Sequence, residues 1–438
     1  LGDWRDPLEL RQLKAVAFTV LLLPLNWLLG TTLPFVYGVT AYLLMAPQRL
    51  SALEVALASL AGALLLGLGV ALPDGVEASR VVAALFNLSI VLVVVVFANF
   101  GRKIQLRGDP AGHRTDGIYR AALVCFGVQA AVVLGTKAYV TLTGQQELGF
   151  RTLVLGAFGE LPGVLSFYSH VALSSVDWTG DNPSLRIIGL GIYATEGALL
   201  LLVVGLFGAI YLANRRRWLG VLFVELVVFA MLVLTASRTT ALAYIVSLPL
   251  LLALAGRRVV GATLLLAPVL LAGCIVFGTH AADLMAALFT RISEARPGSS
   301  AGRFANYTLA IDLVREHNVL TGLGVKPRDD AISEIPIGSH STWISMFTKG
   351  GLIALAALSA VYLALLGKVA ASQLTLLLRP PPSTPARAAE LVYLSRCVLV
   401  VLVWWLTEDF DAAAYQAVMA GLSFGLFWGL WERGPADA

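Results

Sequence analysis

Charge is what this sequence has least of: 13% of its 438 residues are Asp, Glu, Lys or Arg, against about a quarter in soluble domains. Water is therefore not its main solvent. The 31 basic and 27 acidic residues leave a formal charge of +4. The basic ones sit in short loops between apolar runs, which excludes a nucleic-acid surface. Cysteine is scarce too. Cys125, Cys274 and Cys397 each lie inside an apolar run, so neither a disulfide framework nor a thiolate metal site is expected. The five histidines form no close cluster with acids in any outer loop, so no metal and no cofactor are expected either. A soluble domain, an internal repeat and a disordered tail are all missing. A cleavable signal peptide is not expected, because Trp27-Leu28-Leu29-Gly30 leads into further apolar runs without a small-residue cleavage pattern. The first residue is Leu1 rather than methionine, as in a chain trimmed at its start.

Apolar residues are what the chain has most of, at 58%, with a mean hydropathy of +0.82. A helical span of a bilayer asks for roughly 20 predominantly apolar residues. Such runs lie at 14–30, 32–46, 51–72, 81–100, 118–142, 187–213, 218–236, 239–255, 259–278, 342–366, 391–409 and 413–431. The expected fold is an all-α polytopic membrane protein of about 12 transmembrane helices. Residues 1–438 read as one integral membrane domain.

Orientation follows from the Lys/Arg bias of short loops. Arg5, Arg11 and Lys14 precede the first span, and Arg102, Lys103, Arg107 and Arg114 crowd one loop. Arg215-Arg216-Arg217, Arg257-Arg258 and the group Lys368, Arg379 and Arg387 mark three more. Twelve spans put every cluster on the cytoplasmic side with both termini inside, and put Glu408-Asp409-Phe410-Asp411 outside. Two longer outer stretches remain. The first, 144–186, is apolar from Phe150 to Ser175 but broken by Glu160, Pro162 and His170. It reads as a helix lying in the outer interface or re-entering it, since irregular backbone at membrane depth needs protein or a wet cavity around it. The second is the long loop 279–341. Within it, Ser299-Ser300 could cap a helix whose apolar face is Phe304, Tyr307, Ile311 and Val314, ended by Gly322-Leu323-Gly324.

Arg186, Arg238, Arg303 and His340 all fall on the outer side. A guanidinium stays charged and presents a fork of donors that matches phosphate oxygens. Arg238, in Ser237-Arg238-Thr239, separates two apolar runs so closely that it sits at the membrane face, and Arg186 is expected to open the span at 187. Each alone reads equally as a snorkelling arginine, and Arg303 equally as a salt-bridge partner. Together they suggest a site for an anionic, lipid-linked substrate. His340, just ahead of the span at 342, is able to take a proton from a hydroxyl near neutral pH, or else to cap the helix. Neighbouring arginines would lower its pKa and keep it neutral. Glu196 and Glu225 lie inside spans. Intramembrane carboxylates are either functional, as ion-coupling groups, or packing groups paired with polar neighbours, and the packing reading is preferred.

In order along the chain stand Ser237-Arg238-Thr239-Thr240-Ala241, Gly302-Arg303, Gly322-Leu323-Gly324, His340 and Gly350-Gly351. This series resembles the O-antigen ligase and O-antigen polymerase family of bacterial envelope glycosyltransferases, over residues 185–366. The resemblance implies a multi-pass protein of the bacterial inner membrane, working in lipopolysaccharide biosynthesis with its site facing the periplasm. The stretches 144–186 and 279–341 are then periplasmic, the second carrying part of the site. The implied reaction is a metal-independent, inverting transfer of a glycan from undecaprenyl diphosphate to a sugar hydroxyl of lipid A–core oligosaccharide. Arg186, Arg238 and Arg303 would hold the diphosphate, Arg303 also serving catalysis, and His340 would be the general base. A polymerase that joins two lipid-linked units needs the same groups. A transporter of an anionic solute or lipid, coupled through Glu196 and Glu225, is the rival from another class, although no paired halves are visible.

Overall fold

A computed structural model describes residues 7–45, 49–107, 115–159, 168, 170–177, 184–254, 297–328, 336–378, 385–411 and 413–433. Helices dominate it: α1 Pro7–Leu29, α2 Thr32–Leu44, α3 Ala52–Ala71, α4 Ala78–Leu106 and α5 Asp116–Thr143 come first. Then follow β1 Leu148–Arg151, α6 Leu153–Phe158, β2 His170–Asp177 and β3 Ser184–Ile187. The helices resume with α7 Ala194–Asn214, α8 Trp218–Thr235 and α9 Arg238–Ser247, the last running on as a 3-10 turn to Leu254. After them come α10 Pro297–His317, α11 Thr342–Leu378, α12 Pro385–Thr407 and α13 Ala414–Glu432. Among the described residues, 8 helices are long and apolar enough to cross a membrane, and Thr32–Leu44 and Arg238–Leu254 are shorter apolar helices. The chain is a multi-pass helical membrane protein. The run expected at 259–278 lies outside the described residues.

The spanning helices are apolar on every side, as a bilayer solvent requires. On α8, Phe223, Leu226, Phe229 and Val233 are exposed, a stripe that would aggregate in water. Meanwhile α7, α12 and α13 are enclosed by their neighbours over almost their whole length. Backbone proximity does part of this work. Gly421, Gly425 and Gly429 recur every four residues, so they line one face of α13. A Cβ at Gly421 would stand 2.7 Å from the Val94 carbonyl oxygen, one at Gly429 2.7 Å from that of Arg102, and one at Gly425 would overlap Ala98. Small residues let α13 lie directly on the backbone of α4, the way membrane helices gain dispersion energy without a hydrophobic driving force.

Charged groups sort to two ends. At one, Arg102 binds Glu54 at 2.9 Å and Glu432 at 3.1 Å, Lys103 binds Glu9 at 3.1 Å, and Arg215 meets Asp116 at 3.2 Å. Tyr119 and Gln105 there both donate to Glu390, at 2.7 and 2.8 Å. At the other end gather Arg303, Lys326, His340, Glu408, Asp409 and Asp411. Between them lies one deep ion pair: Arg396, fully buried, clasps Glu225 through both terminal nitrogens, with Tyr244 donating to the same carboxylate at 2.7 Å. Glu196 is buried at the start of α7 and accepts from the Ile192 amide at 3.3 Å. Both carboxylates are thus engaged by protein groups, in line with the packing reading.

The stretch between α5 and α7 departs from expectation. Among the described residues of the helix expected over 150–175, only α6 is α-helical; β1, β2 and β3 form an antiparallel sheet, with Arg151 opposite His170 and Ser175 opposite Arg186. The sequence His170-Val171-Ala172-Leu173-Ser174-Ser175-Val176 mixes small polar and β-branched residues, which suits a strand with unlike faces better than an apolar helix. Arg186 consequently lies in β3, and the helix expected to start at 187 begins only at Ala194.

Candidate active site

The site is assembled around a break in α11. Gly351 takes φ 59°, ψ −151°, a conformation closed to other residues, and divides the helix after its first turns. A broken helix must find partners for the groups it frees. The carbonyls of Thr348 and Lys349 accept from the amides of Leu323 and Gly324, at 2.7 and 3.1 Å. The amides of Leu352 and Ile353 donate to the carbonyls of Val319 and Leu320, at 2.9 and 3.2 Å. The loop after α10 is thereby threaded into the break. Gly322 and Gly324, both at positive φ, let it pass. A Cβ on Gly322 would stand 2.7 Å from the Gly351 nitrogen, and one on Gly324 2.6 Å from the Gly67 carbonyl of α3. Gly322-Leu323-Gly324 therefore does not end α10, which stops at His317; Asn318 then caps the turn through its side chain.

Helix α10 carries Arg303 to this junction. It begins at Pro297, so Ser299-Ser300 lies within it rather than capping it. Its buried face is Asn306, Ala310 and Val314, and Phe304 is 72% exposed. The expected apolar face is rotated because the polar Asn306 does structural work. Its oxygen accepts from the Gly338 amide at 2.7 Å, and its nitrogen donates to the Pro336 carbonyl at 3.3 Å. That clamp sets the segment leading to His340.

His340 sits at φ 69°, a left-handed conformation that a side chain adopts only when its surroundings over-determine it. They do. Its carbonyl accepts from the Tyr307 hydroxyl at 2.7 Å, Ser341 donates to the Leu406 carbonyl at 2.9 Å, and Thr342 bonds the Glu408 carbonyl through its amide and its hydroxyl, at 3.0 and 2.9 Å. Burial, then the positive charges of Arg303 and Lys326, lower the His340 pKa to about 4. The imidazole is neutral at pH 7, as expected from neighbouring cations.

Among the described residues, Arg303 is gripped from one side only. Its terminal nitrogens donate to the Thr407 carbonyl and to Glu408 Oε1, each at 3.2 Å, and its side chain remains 30% exposed. A guanidinium has five N–H donors, so donors are left for an incoming anion. Glu408 also accepts from Thr239 at 3.3 Å. Burial raises its carboxyl pKa, against the opposing pull of Arg303 and Thr239. Arg238 opens α9 beside Thr239 and is exposed. Behind Glu408, Lys326 pairs with Asp409 and, at 2.7 Å, with Asp411, which also binds Lys349 at 2.6 Å. Burial raises the Asp411 carboxyl, but the two lysines outweigh it and hold it below the usual carboxylate range.

The structure thus brings Arg303 and His340 into one cluster and ties the neighbour of Arg238 to it. It puts Arg186 on β3 across from Ser175, while the cations acting on His340 are Arg303 and Lys326. Sequence reasoning missed Glu408, Lys326, Asp409, Asp411 and Lys349 as members of the site. The signal was present: a cluster of three acids placed on the same face as three arginines needs cations to pair with.

Residues 223–359 match the family model described as O-antigen ligase. The match spans every motif from Ser237 to Gly351 and excludes Arg186. No curated protein and no solved structure matches the chain.

Proposed function

From the O-antigen ligase domain carried by residues 223–359, we propose that the protein is an O-antigen ligase of the bacterial inner membrane. It moves a glycan from undecaprenyl diphosphate to a sugar hydroxyl of lipid A–core oligosaccharide. With the end bearing Arg102, Lys103, Arg107 and Arg215 in the cytoplasm by the positive-inside bias, twelve spans leave both termini inside and the Arg303–His340 end in the periplasm. The observation that carries the reading is an arginine held along one edge beside a neutral histidine.

In the transfer, the bond from the anomeric carbon to the diphosphate oxygen breaks as the acceptor oxygen attacks from the opposite face, inverting the centre. The open donors of Arg303, with Arg238 and Arg186, take up the charge the diphosphate gains. His340 accepts the acceptor hydroxyl's proton and needs no metal to do so. Preorganised donors of this kind are each worth about 10²–10³ in rate, and a general base about 10²–10⁴. Arg303 offers more than one such donor, so Arg303→Ala is expected to cost at least as much as His340→Ala.

The test is transfer by purified protein in detergent, supplied with undecaprenyl-diphosphate-linked glycan, lipid A–core and a chelator. Product on lipid A–core that survives chelator and is lost in both variants supports the ligase. Glycan lengthening on undecaprenyl diphosphate, with nothing passed to lipid A–core, makes it a polymerase. Folded, lipid-supplied protein yielding neither product refutes both.

A further inference from the structure

The end of the molecule opposite the Arg303–His340 cluster holds guanidinium groups that the fold does not use. Helices α7 and α8 are joined there by Arg215-Arg216-Arg217. Arg215 is engaged: it donates to Asp116 at the start of α5, at 3.2 Å, and its guanidinium carbon lies 4.2 Å from the centre of the Tyr211 ring. Arg216 and Arg217 are exposed, and their side chains have no partner among the described residues. Arg120 lies four residues on from Asp116 and so on the same face of α5. It too is exposed and without a side-chain partner among the described residues.

The positive-inside bias accounts for basic loops of this kind, and an exposed arginine alone would mean no more than that. Arg216 does not fit that account. The turn after α7 is closed by the Arg216 amide on the Ala213 carbonyl and the Arg217 amide on the Leu212 carbonyl, each at 2.9 Å, with Arg216 at φ 56°. Helix endings of this form take glycine at that position, because a Cβ in left-handed backbone costs stability. Topology is served equally by arginines at 215 and 217 with glycine between them. Beyond the turn, α8 turns Leu219, Leu222, Phe223 and Leu226 outward, Leu219 being 85% exposed. Their spacing puts them on one face, so an apolar strip runs from the arginines into the membrane.

We propose that an anionic phospholipid is held at this turn, its phosphate on Arg216 and Arg217 and an acyl chain along Leu219, Leu222, Phe223 and Leu226. A guanidinium fork matches phosphate, and Arg120 adds a third charge. A zwitterionic head group would bring its own cation to three guanidinium groups that no described carboxylate neutralises, so charge complementarity favours the anionic lipid.

Photolabelling of the full chain in phosphatidylcholine nanodiscs tests this. The discs are doped with either a phosphatidylglycerol or a phosphatidylcholine probe, each carrying a diazirine on the same acyl chain. The phosphatidylglycerol probe is expected to label residues 218–226 preferentially. An arginine near the membrane surface favours an anionic lipid by about fivefold, so Arg217→Gln should cut that preference about fivefold. Combining Arg120→Gln, Arg216→Gly and Arg217→Gln should abolish it. Arg216→Gly alone should cut the preference while raising the melting temperature, because glycine relieves the backbone. If that variant melts lower and labels as the wild type does, Arg216 belongs to the turn and the proposal is overturned. Equal labelling by the two probes overturns it, as does a preference that the triple variant keeps. No labelling of 218–226 by either probe means that another element covers α8, and overturns it as well.

Discussion

Glu408 is where the proposed chemistry is most exposed to refutation, because it touches Arg303 and the reacting lipids need not touch it. Its side chain accepts from Arg303 Nη2 at 3.2 Å and Thr239 at 3.3 Å through the same oxygen. Glu408→Gln keeps that oxygen and removes the charge. Arg303 stays charged, so the bond persists and the Coulomb attraction of a partly exposed pair is what goes, up to about 1 kcal/mol of Arg303 restraint, or about fivefold in kcat. Glu408→Ala removes the acceptor and leaves Arg303 held, among the described residues, by the Thr407 carbonyl alone. A displacement on the order of 1 Å costs about a hundredfold, and that is the expected fall in kcat. Affinity should move the other way. With its counter-ion gone, Arg303 is freer to bind diphosphate, so KM for the donor stays level or drops. The fold should survive, since the bonds from Thr342 go to the Glu408 backbone carbonyl. Steady-state transfer kinetics with varied donor, beside a melting curve, measure all three. A full kcat with a raised KM in Glu408→Ala would sink the reasoning, because Arg303 would then be positioned without Glu408.

Three further outcomes follow from the same geometry. With the His340 pKa at about 4 in the free protein, the base is neutral above that pH and protonated below it; the acid limb of kcat/KM should fall near pH 4, and a limb near 6.5 would show that Arg303, Lys326 and burial do not act on it. Glu225→Ala strands the fully buried Arg396 and should destabilise by about 3–5 kcal/mol, read as a melting shift that Glu225→Leu combined with Arg396→Met largely restores; single and double variants melting alike would refute the pair. Gly351→Ala forces a side chain into φ 59°, ψ −151° and into the Leu320 carbonyl, which costs about 1–3 kcal/mol in backbone conformation and about 1 for each threaded hydrogen bond lost. Its transfer rate and melting temperature should fall together, and wild-type values of both would show that the break is not needed.

Much of the helical frame was legible because a span writes itself in consecutive apolar residues. The runs at 32–46, 51–72 and 218–236 lie within a few residues of α2, α3 and α8. Breaks inside apolar runs were harder to read. Gly350-Gly351 was visible as a pair, but nothing local says that Gly351 leaves the helix; that depends on Val319–Gly324 arriving to bond the freed groups. The sheet at 148–187 failed for a related reason, since apolar content alone does not separate strand from helix in short segments. Arg303 was legible at the start of an outer-loop helix and His340 as a polar residue just ahead of a span. Their companions were not, because Glu408 and Lys326 are distant in sequence and look like ordinary loop charges until the fold joins them.

The cluster balances its charge within the protein: Arg303, Lys326 and Lys349 face Glu408, Asp409 and Asp411. That balance has a chemical consequence for the proposed reaction. A histidine whose proton is lost at about pH 4 is neutral at pH 7 but a weak base, and general-base efficiency is greatest when the pKa lies near the working pH. Burial and two cations keep it weak. A diphosphate settling on the open edge of Arg303 brings negative charge beside those cations and reverses the part of the shift they cause. His340 thus gains basicity as the donor binds, and only then is it matched to an acceptor hydroxyl.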